Sequence, residues 1–145
     1  MLFTQTNAER VMQGRKTQTR RERKTGDFPS TRARDGQIVA VERNKRLLWE
    51  VGHSYAVQPG RSKPSIGRIW LTEIRCESLQ DISAEDICAE LGCPQKWTGQ
   101  EPELYKRAFR TALATLWDSI NSKGHRWNDN PMVWALTFRL ASEEI

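Results

Sequence analysis

The residues best suited to chemistry lie in one short stretch, Gly14–Arg21, with the sequence Gly-Arg-Lys-Thr-Gln-Thr-Arg-Arg. A threonine hydroxyl attacks as a nucleophile only after a base removes its proton. A lysine can be that base where burial or positively charged neighbours lower its pKa. Thr19 is therefore the candidate nucleophile and Lys16 the candidate base, with three arginines close by to disfavour a further positive charge.

A carboxylate completes this set if Glu90 lies near Lys16. Glu90 stands beside the apolar face that Ile87 and Leu91 give to a predicted helix, so it can point inward. Lysine, threonine and an acid together suit acyl transfer, including amide hydrolysis. In the alternative interpretation, Lys16 and Thr19 lie on a solvated strand and Glu90 on a helix surface, because sequence alone does not bring them together.

Hydrophobic periodicity and capping patterns predict the elements that would position these residues. Three helices are expected, at 6–13 with a Thr6/Glu9 capping box, at 83–92 with a Ser83 cap, and from a Thr98/Glu101 capping box to about Asn121. The apolar stripe of the third helix is predicted to be core. Five strands are expected, at 17–21, 37–42, 47–51, 68–76 with a bulge near Thr72–Glu73, and 132–140.

The remaining segments are predicted to be loops. Residues 22–36 are highly charged and predict a mobile loop whose Arg32 and Arg34 could cover the first strand, and 52–67 and 93–100 predict further loops. Without alternation of strand and helix, the pattern predicts an α+β fold, a small and mostly antiparallel β-barrel with about three helices at its rim.

Composition limits the class of protein. A length of 145 residues predicts a single domain over 1–145, and no apolar run approaches the roughly 20 residues of a membrane span. The three cysteines show no metal-binding spacing with the two histidines, which favours reduced thiols in the cytoplasm and predicts neither a metal nor a cofactor. The formal charge is +5, and the twelve Lys/Arg against four Asp/Glu in residues 10–46 favour a polyanionic partner.

Several segments, in this order, resemble the ASCH domain family. The first is Gly14–Arg21, which is similar to the family signature. The others resemble phage- and prophage-type members, and they are Pro59-Gly60-Arg61 through Ile69, Leu79–Ser83 leading to Ala89-Glu90, Leu116–Asn121 and Asn130–Trp134 through Phe138. The resemblance implies a PUA-like β-barrel over most of the chain.

The resemblance also implies two kinds of function. One branch of the family removes the acetyl group from N4-acetylcytidine, and its catalytic lysine, threonine and glutamate fall on Lys16, Thr19 and Glu90. Other members are considered RNA-binding modules, and ribonuclease activity has also been attributed to the family. The chain is longer than the minimal amidohydrolase, with extra residues at 22–36, 52–67 and 93–115.

Two hypotheses follow from the residues and the resemblance together. The first is an amidohydrolase for an N4-acylated cytosine nucleoside, without cofactor, in which Arg21 or a nearby amide stabilises the oxyanion. The second is an RNA-binding module in which arginines contact phosphates and Trp49 or Trp70 stacks on bases. The residues expected to bind substrate or nucleic acid are Arg15, Thr17, Arg20, Arg21, Arg32, Arg34 and Arg61.

Overall fold

A computed structural model describes residues 1–93 and 98–141. The α-helices are α1 (Gln5–Met12), α2 (Ala84–Leu91) and α3 (Glu103–Ile120). The strands are β1 (Gln18–Glu22), β2 (Asp27–Thr31), β3 (Ile38–Arg43), β4 (Arg46–Glu50), β5 (Ser54–Val57), β6 (Gly67–Ser78) and β7 (Met132–Leu140). Short 3₁₀ turns span Leu79–Asp81 and Trp127–Asp129. The loop predicted at 93–100 includes residues 94–97, which lie outside the described residues.

All seven strands belong to one antiparallel sheet. The order is β1-β7-β6-β3-β2, while β4 pairs with β3 and β5 with β6. The predicted α+β fold with three helices is thus confirmed. The sheet does not close into the predicted barrel, because β1 and β2 at the two ends of this path are not paired with each other.

A short connection and one buried side-chain hydrogen bond tie β2 to the β1–β7 side of the sheet. Only residues 23–26 connect β1 to β2, which keeps those strands within about 18 Å of each other along the chain. Trp134 on β7 donates a hydrogen bond from Nε1 to Oδ2 of Asp27 on β2, at 3.0 Å. This buried contact joins β2 to β7 through side chains alone.

β7 is an interior strand of the sheet. It pairs with β1 on one side and β6 on the other, and residues 133–136 are buried. The predicted bulge in β6 is confirmed, because the register with β7 shifts between Leu71 and Glu73. β3 and β4, both predicted as strands, form a hairpin with Asn44 and Lys45 at positive φ in its two-residue turn.

Two predicted loops contain strands. Within 22–36, β2 pairs with β3 along five residues, so the prediction of a mobile loop was wrong. Within 52–67, β5 pairs with β6. Both strands are short, and each pairs with the next strand along the chain. The charge, proline and glycine content of the surrounding segments predicted loops instead.

The helices differ from the predictions mainly at their caps. α1 begins at Gln5, and the hydroxyl of Thr4 accepts a hydrogen bond from the Asn7 amide, so the predicted Thr6/Glu9 capping box was wrong. The Ser83 cap of α2 is confirmed. Glu101 accepts from the Thr98 amide, but that contact precedes α3, which starts after Pro102.

The apolar stripe of α3 is only partly core. Leu113 and Trp117 are buried, whereas Leu104 is 73% exposed and Ile120 is 65% exposed. α3 packs against α2 and against the turn at Trp127–Asp129, and these short elements cover only part of its length. In the described part of the chain, no helix combines the length and apolar character needed to cross a membrane.

Candidate active site

The turn between α1 and β1 carries Lys16 to the C-terminal end of α2. Gly14 adopts φ 73°, a conformation that glycine takes without strain, and the chain leaves the helix there. The amide of Lys16 then donates to the carbonyl of Arg10, and the amide of Thr17 donates to that of Ala89. These bonds hold the turn against both helices.

Lys16 and Glu90 meet in the interior of the protein. Nζ of Lys16 donates to the Glu90 carbonyl oxygen at 2.7 Å and contacts the carboxylate Oε2 at 2.5 Å. The side chains are 3% and 8% exposed. A buried ion pair gains little net stability, because removing both charges from water is costly, so the pair is a candidate for a functional role.

Burial and three neighbouring charged residues shift the pKa of Lys16. Burial lowers the pKa of Lys16 below its ordinary value, the Glu90 carboxylate opposes this shift, and Arg21 and Arg20 lower the pKa further. A lysine in this setting gives up its proton more readily than one in water. The environment therefore suits the general-base role predicted for it.

Thr19 lies on β1 opposite Leu136 of β7, and it is 6% exposed. Its hydroxyl makes no hydrogen bond to any residue in the ranges 1–93 and 98–141. It lines an open cavity of about 720 Å³, which lies within the roughly 300–1,000 Å³ range of ligand sites. Lys16 and Glu90 do not line this cavity.

The cavity is bounded by β1, the N-terminal segment before α1 and the segment after α3. Arg21 lies in its wall, where Nη2 donates to the Leu2 carbonyl at 2.7 Å and the guanidinium carbon lies 5.4 Å from the centre of the Phe3 ring. Burial lowers the pKa of Arg21, although Glu90 acts in the opposite direction. Its Nε is buried without a hydrogen-bond partner among the described residues.

Arg20 is bound by acidic residues of α2 and β6. Its guanidinium lies 2.8 Å from Glu77, 3.3 Å from Asp86 and 3.7 Å from Glu90, and it donates to Gln18. Asp86, in the first turn of α2, also accepts from Arg75 and Gln18. Although Arg20 lines the cavity, this network commits its charge to holding β1 and α2 together.

The other predicted binding residues are scattered. Arg61 lines the cavity, whereas Thr17 and Arg15 do not, and Arg15 donates to the Gly92 carbonyl and the Gln13 side chain. Arg32 and Arg34 also lie outside the cavity lining, and both contact Asp35 at the surface. The binding roles of these residues stay predictions.

Sequence reasoning missed part of the cavity wall. Lys24 and Arg43 line it, and both belong to the basic segment 10–46, but neither was singled out as a binding residue. Trp49 also lines the cavity, and its stacking role stays a prediction. His125 is exposed and lies 2.7 Å from Glu22 at the cavity edge. Among the described residues, no three His, Cys, Asp or Glu side chains are grouped to hold a metal ion.

Comparison with known proteins places the fold. No family model matches the chain and no curated protein matches its sequence. A solved ASCH domain from Lactobacillus crispatus JV V101 aligns at 13% identity and TM-score 0.45, covering 92% of this chain and 69% of its own. Protein EF3133 from Enterococcus faecalis V583, described by the family model DUF984, aligns at 13% identity and TM-score 0.57, covering 94% of this chain and 67% of its own.

The chain shares the fold of the Enterococcus faecalis protein. At a TM-score of 0.45 the likeness to the Lactobacillus domain carries no argument, and at 13% identity neither likeness reaches beyond the fold. Membership of the ASCH family, the phage-type likeness and the N4-acetylcytidine branch therefore stay predictions from the sequence motifs.

Proposed function

We propose that the protein is an amidohydrolase that removes the acetyl group from an N4-acetylcytidine-type substrate. The observation that carries the proposal is the buried contact between Lys16 and Glu90, which are 74 residues apart in the chain. Burial lowers the pKa of Lys16, and the contact gives it a carboxylate that can share its proton. The adjacent strand supplies Thr19, a hydroxyl without a partner among the described residues, in the wall of a cavity.

The proposed reaction has two stages. Neutral Lys16 takes the proton of Thr19 as the hydroxyl oxygen forms a bond to the acetyl carbonyl carbon. The bond from that carbon to N4 of cytosine breaks, and N4 leaves as an amine with the proton passed through the Lys16–Glu90 pair. Water, deprotonated by the same lysine, then attacks the acetyl carbonyl carbon of the acetyl-threonine ester. The bond from that carbon to the Thr19 oxygen breaks, the lysine returns the proton to this oxygen, and acetate is released.

Arg21 is the proposed stabiliser of the oxyanion. Its guanidinium lies in the same cavity wall as Thr19, two residues further along β1, and the buried setting strengthens its interaction with a developing negative charge. Alternate residues of a strand point to the same face, which suits the paired roles of Thr19 and Arg21.

Replacing Thr19 by valine tests the nucleophile. The two side chains have nearly the same shape, and the hydroxyl has no hydrogen-bond partner in the described chain, so we expect the free energy of unfolding to change by less than about 1 kcal/mol. Release of cytidine from N4-acetylcytidine, followed by chromatography, should fall by at least roughly 10²-fold.

Two matched variants complete this test. Thr72→Val removes a hydroxyl from the exposed bulge of β6 and should leave the rate unchanged, while Thr19→Ser should keep measurable activity. If Thr19→Val worked as fast as the wild type, the hydroxyl would not be the nucleophile.

A second candidate function, RNA binding, is favoured by the charge of the cavity wall. Among the described residues, its lining includes Arg20, Arg21, Lys24, Arg43 and Arg61 against the single carboxylate of Glu22. If the cavity tracks a single strand, the logarithm of the association constant should fall with the logarithm of salt concentration by about 0.7 per phosphate contacted. Titration of a labelled oligoribonucleotide at several salt concentrations measures this slope, and salt-independent or absent binding would exclude the RNA module.

A further inference from the structure

The positive charge of the cavity exceeds what deacetylation of a nucleoside requires. Two of the five cationic side chains in its wall are neutralised by the protein itself. Arg20 contacts Glu77, Asp86 and Glu90, and Arg43 contacts the carboxylate of Asp27 at 2.6 Å. Arg21 has the oxyanion role proposed above. Lys24 and Arg61 remain, and the proposed chemistry uses neither.

Lys24 and Arg61 are available for an external anion. Both are exposed, and within residues 1–93 and 98–141 no carboxylate lies within ion-pairing distance of either side chain. The one carboxylate in the cavity wall, on Glu22, is 2.7 Å from Nδ1 of His125. Two cations without an acidic partner, in the wall of one concave site, favour an anionic ligand such as a phosphate.

The same cavity offers a surface for a base. Trp49 is half-buried in its wall, where the face of an indole can stack on a pyrimidine. Thr19 lies in the same wall. A volume of about 720 Å³ leaves room for a ligand with a base, a sugar and a phosphate.

We propose that Lys24 and Arg61 form a phosphate subsite, and that the substrate is an acetylated cytidine 5′-phosphate rather than the free nucleoside. The phosphate would lie against these two cations while the base reaches Thr19. This inference rests on the proposed function for the acetyl group, but the binding of the phosphate can be measured without any reaction.

Calorimetric titration with cytidine 5′-monophosphate and with cytidine tests the subsite. Charge-assisted hydrogen bonds should make the wild-type protein bind the monophosphate at least about tenfold more tightly than cytidine. In the double variant Lys24→Gln/Arg61→Gln, the affinity for the monophosphate should fall to that for cytidine. Both residues are exposed and unpaired in the described chain, so the fold should be unaffected.

Arg46→Gln/Lys63→Gln is the matched control. It removes two exposed positive charges that do not line the cavity, so it should leave the preference for the monophosphate intact. Equal affinity of the wild type for the monophosphate and cytidine, absence of monophosphate binding, or an unchanged preference in Lys24→Gln/Arg61→Gln would each overturn the proposal.

Two further experiments test the phosphate subsite independently of the proposed function and distinguish a free nucleotide from a polymer as the ligand. Release of acetate from N4-acetylcytidine 5′-monophosphate, compared with N4-acetylcytidine, should show a higher kcat/KM that the double variant loses. If the protein prefers the monophosphate but releases no acetate, the phosphate subsite is supported and the amidohydrolase function is refuted. A short 5′-phosphorylated oligoribonucleotide that binds no better than the monophosphate would identify the free nucleotide as the source of the phosphate.

Discussion

Lys16→Met should lower the turnover of N4-acetylcytidine by roughly 10²–10⁴-fold, the usual contribution of a general base. Methionine fills a similar space but cannot accept the proton of Thr19. Initial rates of cytidine release by chromatography, at saturating substrate, measure the effect. Full activity in Lys16→Met would remove the lysine from the mechanism.

The pH dependence of the wild type gives Lys16 a second signature. Burial lowers its pKa, and only the neutral amine is a base, so kcat/KM should rise with pH and level off below the ordinary lysine pKa of about 10.4. Activity should be lost as pH falls below that lowered value. In Lys16→Met any residual activity should lack this limb of the profile.

Folding controls are needed because Lys16→Met leaves Glu90 buried without its closest cation. Thermal unfolding of each variant should show that the fold persists, since Arg20 lies 3.7 Å from Glu90 and retains part of the compensation. Lys106→Met, which breaks a surface pair with Glu103, is the matched control and should retain wild-type turnover.

Asp27→Ala should destabilise the protein by about 3–5 kcal/mol, the usual cost of removing one partner of a buried ion pair. The buried carboxylate accepts two hydrogen bonds from Arg43, one from Trp134 Nε1 and one from the Lys24 amide. Its loss leaves the indole N–H and the amide without an acceptor where β2 and β7 approach. Chemical denaturation of wild type and variant measures the difference in the free energy of unfolding.

Asp27 should also make stability sensitive to acid. Its hydrogen bonds with Arg43 hold the pKa of the carboxyl well below the ordinary value of about 3.9, outweighing the opposing effect of burial. The resulting stabilisation is present above the unfolded-state pKa and is lost as pH falls below about 4. Asp27→Asn should lack this part of the acid dependence, and Asp35→Asn, on the exposed Arg32 pair, should keep it. Identical acid profiles for Asp27→Asn and the wild type would refute this role.

Local sequence patterns identified the candidate catalytic residues and the elements that carry them. They did not predict which residues these side chains contact in the folded protein. Gly14 and the capped helix α2 are short-range features, so the positions of Lys16 and Glu90 on a turn and a helix could be read from the sequence. Their contact across 74 residues depends on the packing of α2 against the segment before β1, which no local pattern encodes.

The edge strand β2 shows why some strands were not predicted from the sequence. Residues 22–36 carry many charges, which usually indicates a solvated loop. Here, charged side chains are satisfied by partners from distant strands, as Asp27 is by Arg43 and Trp134. The same misreading hid Lys24 as part of the cavity wall. For α3 the prediction overestimated burial. Its apolar periodicity extends to Leu104 and Ile120, but no element in the described part of the chain buries these two residues.

The most direct measurement is chromatography of N4-acetylcytidine and of its 5′-monophosphate after incubation with the wild-type protein. The proposed function predicts acetate in equal amount to the deacetylated product, cytidine or cytidine 5′-monophosphate. The phosphate subsite predicts that release is faster from the monophosphate. Folded wild-type protein that leaves both compounds intact would contradict the assignment of this site as an amidohydrolase.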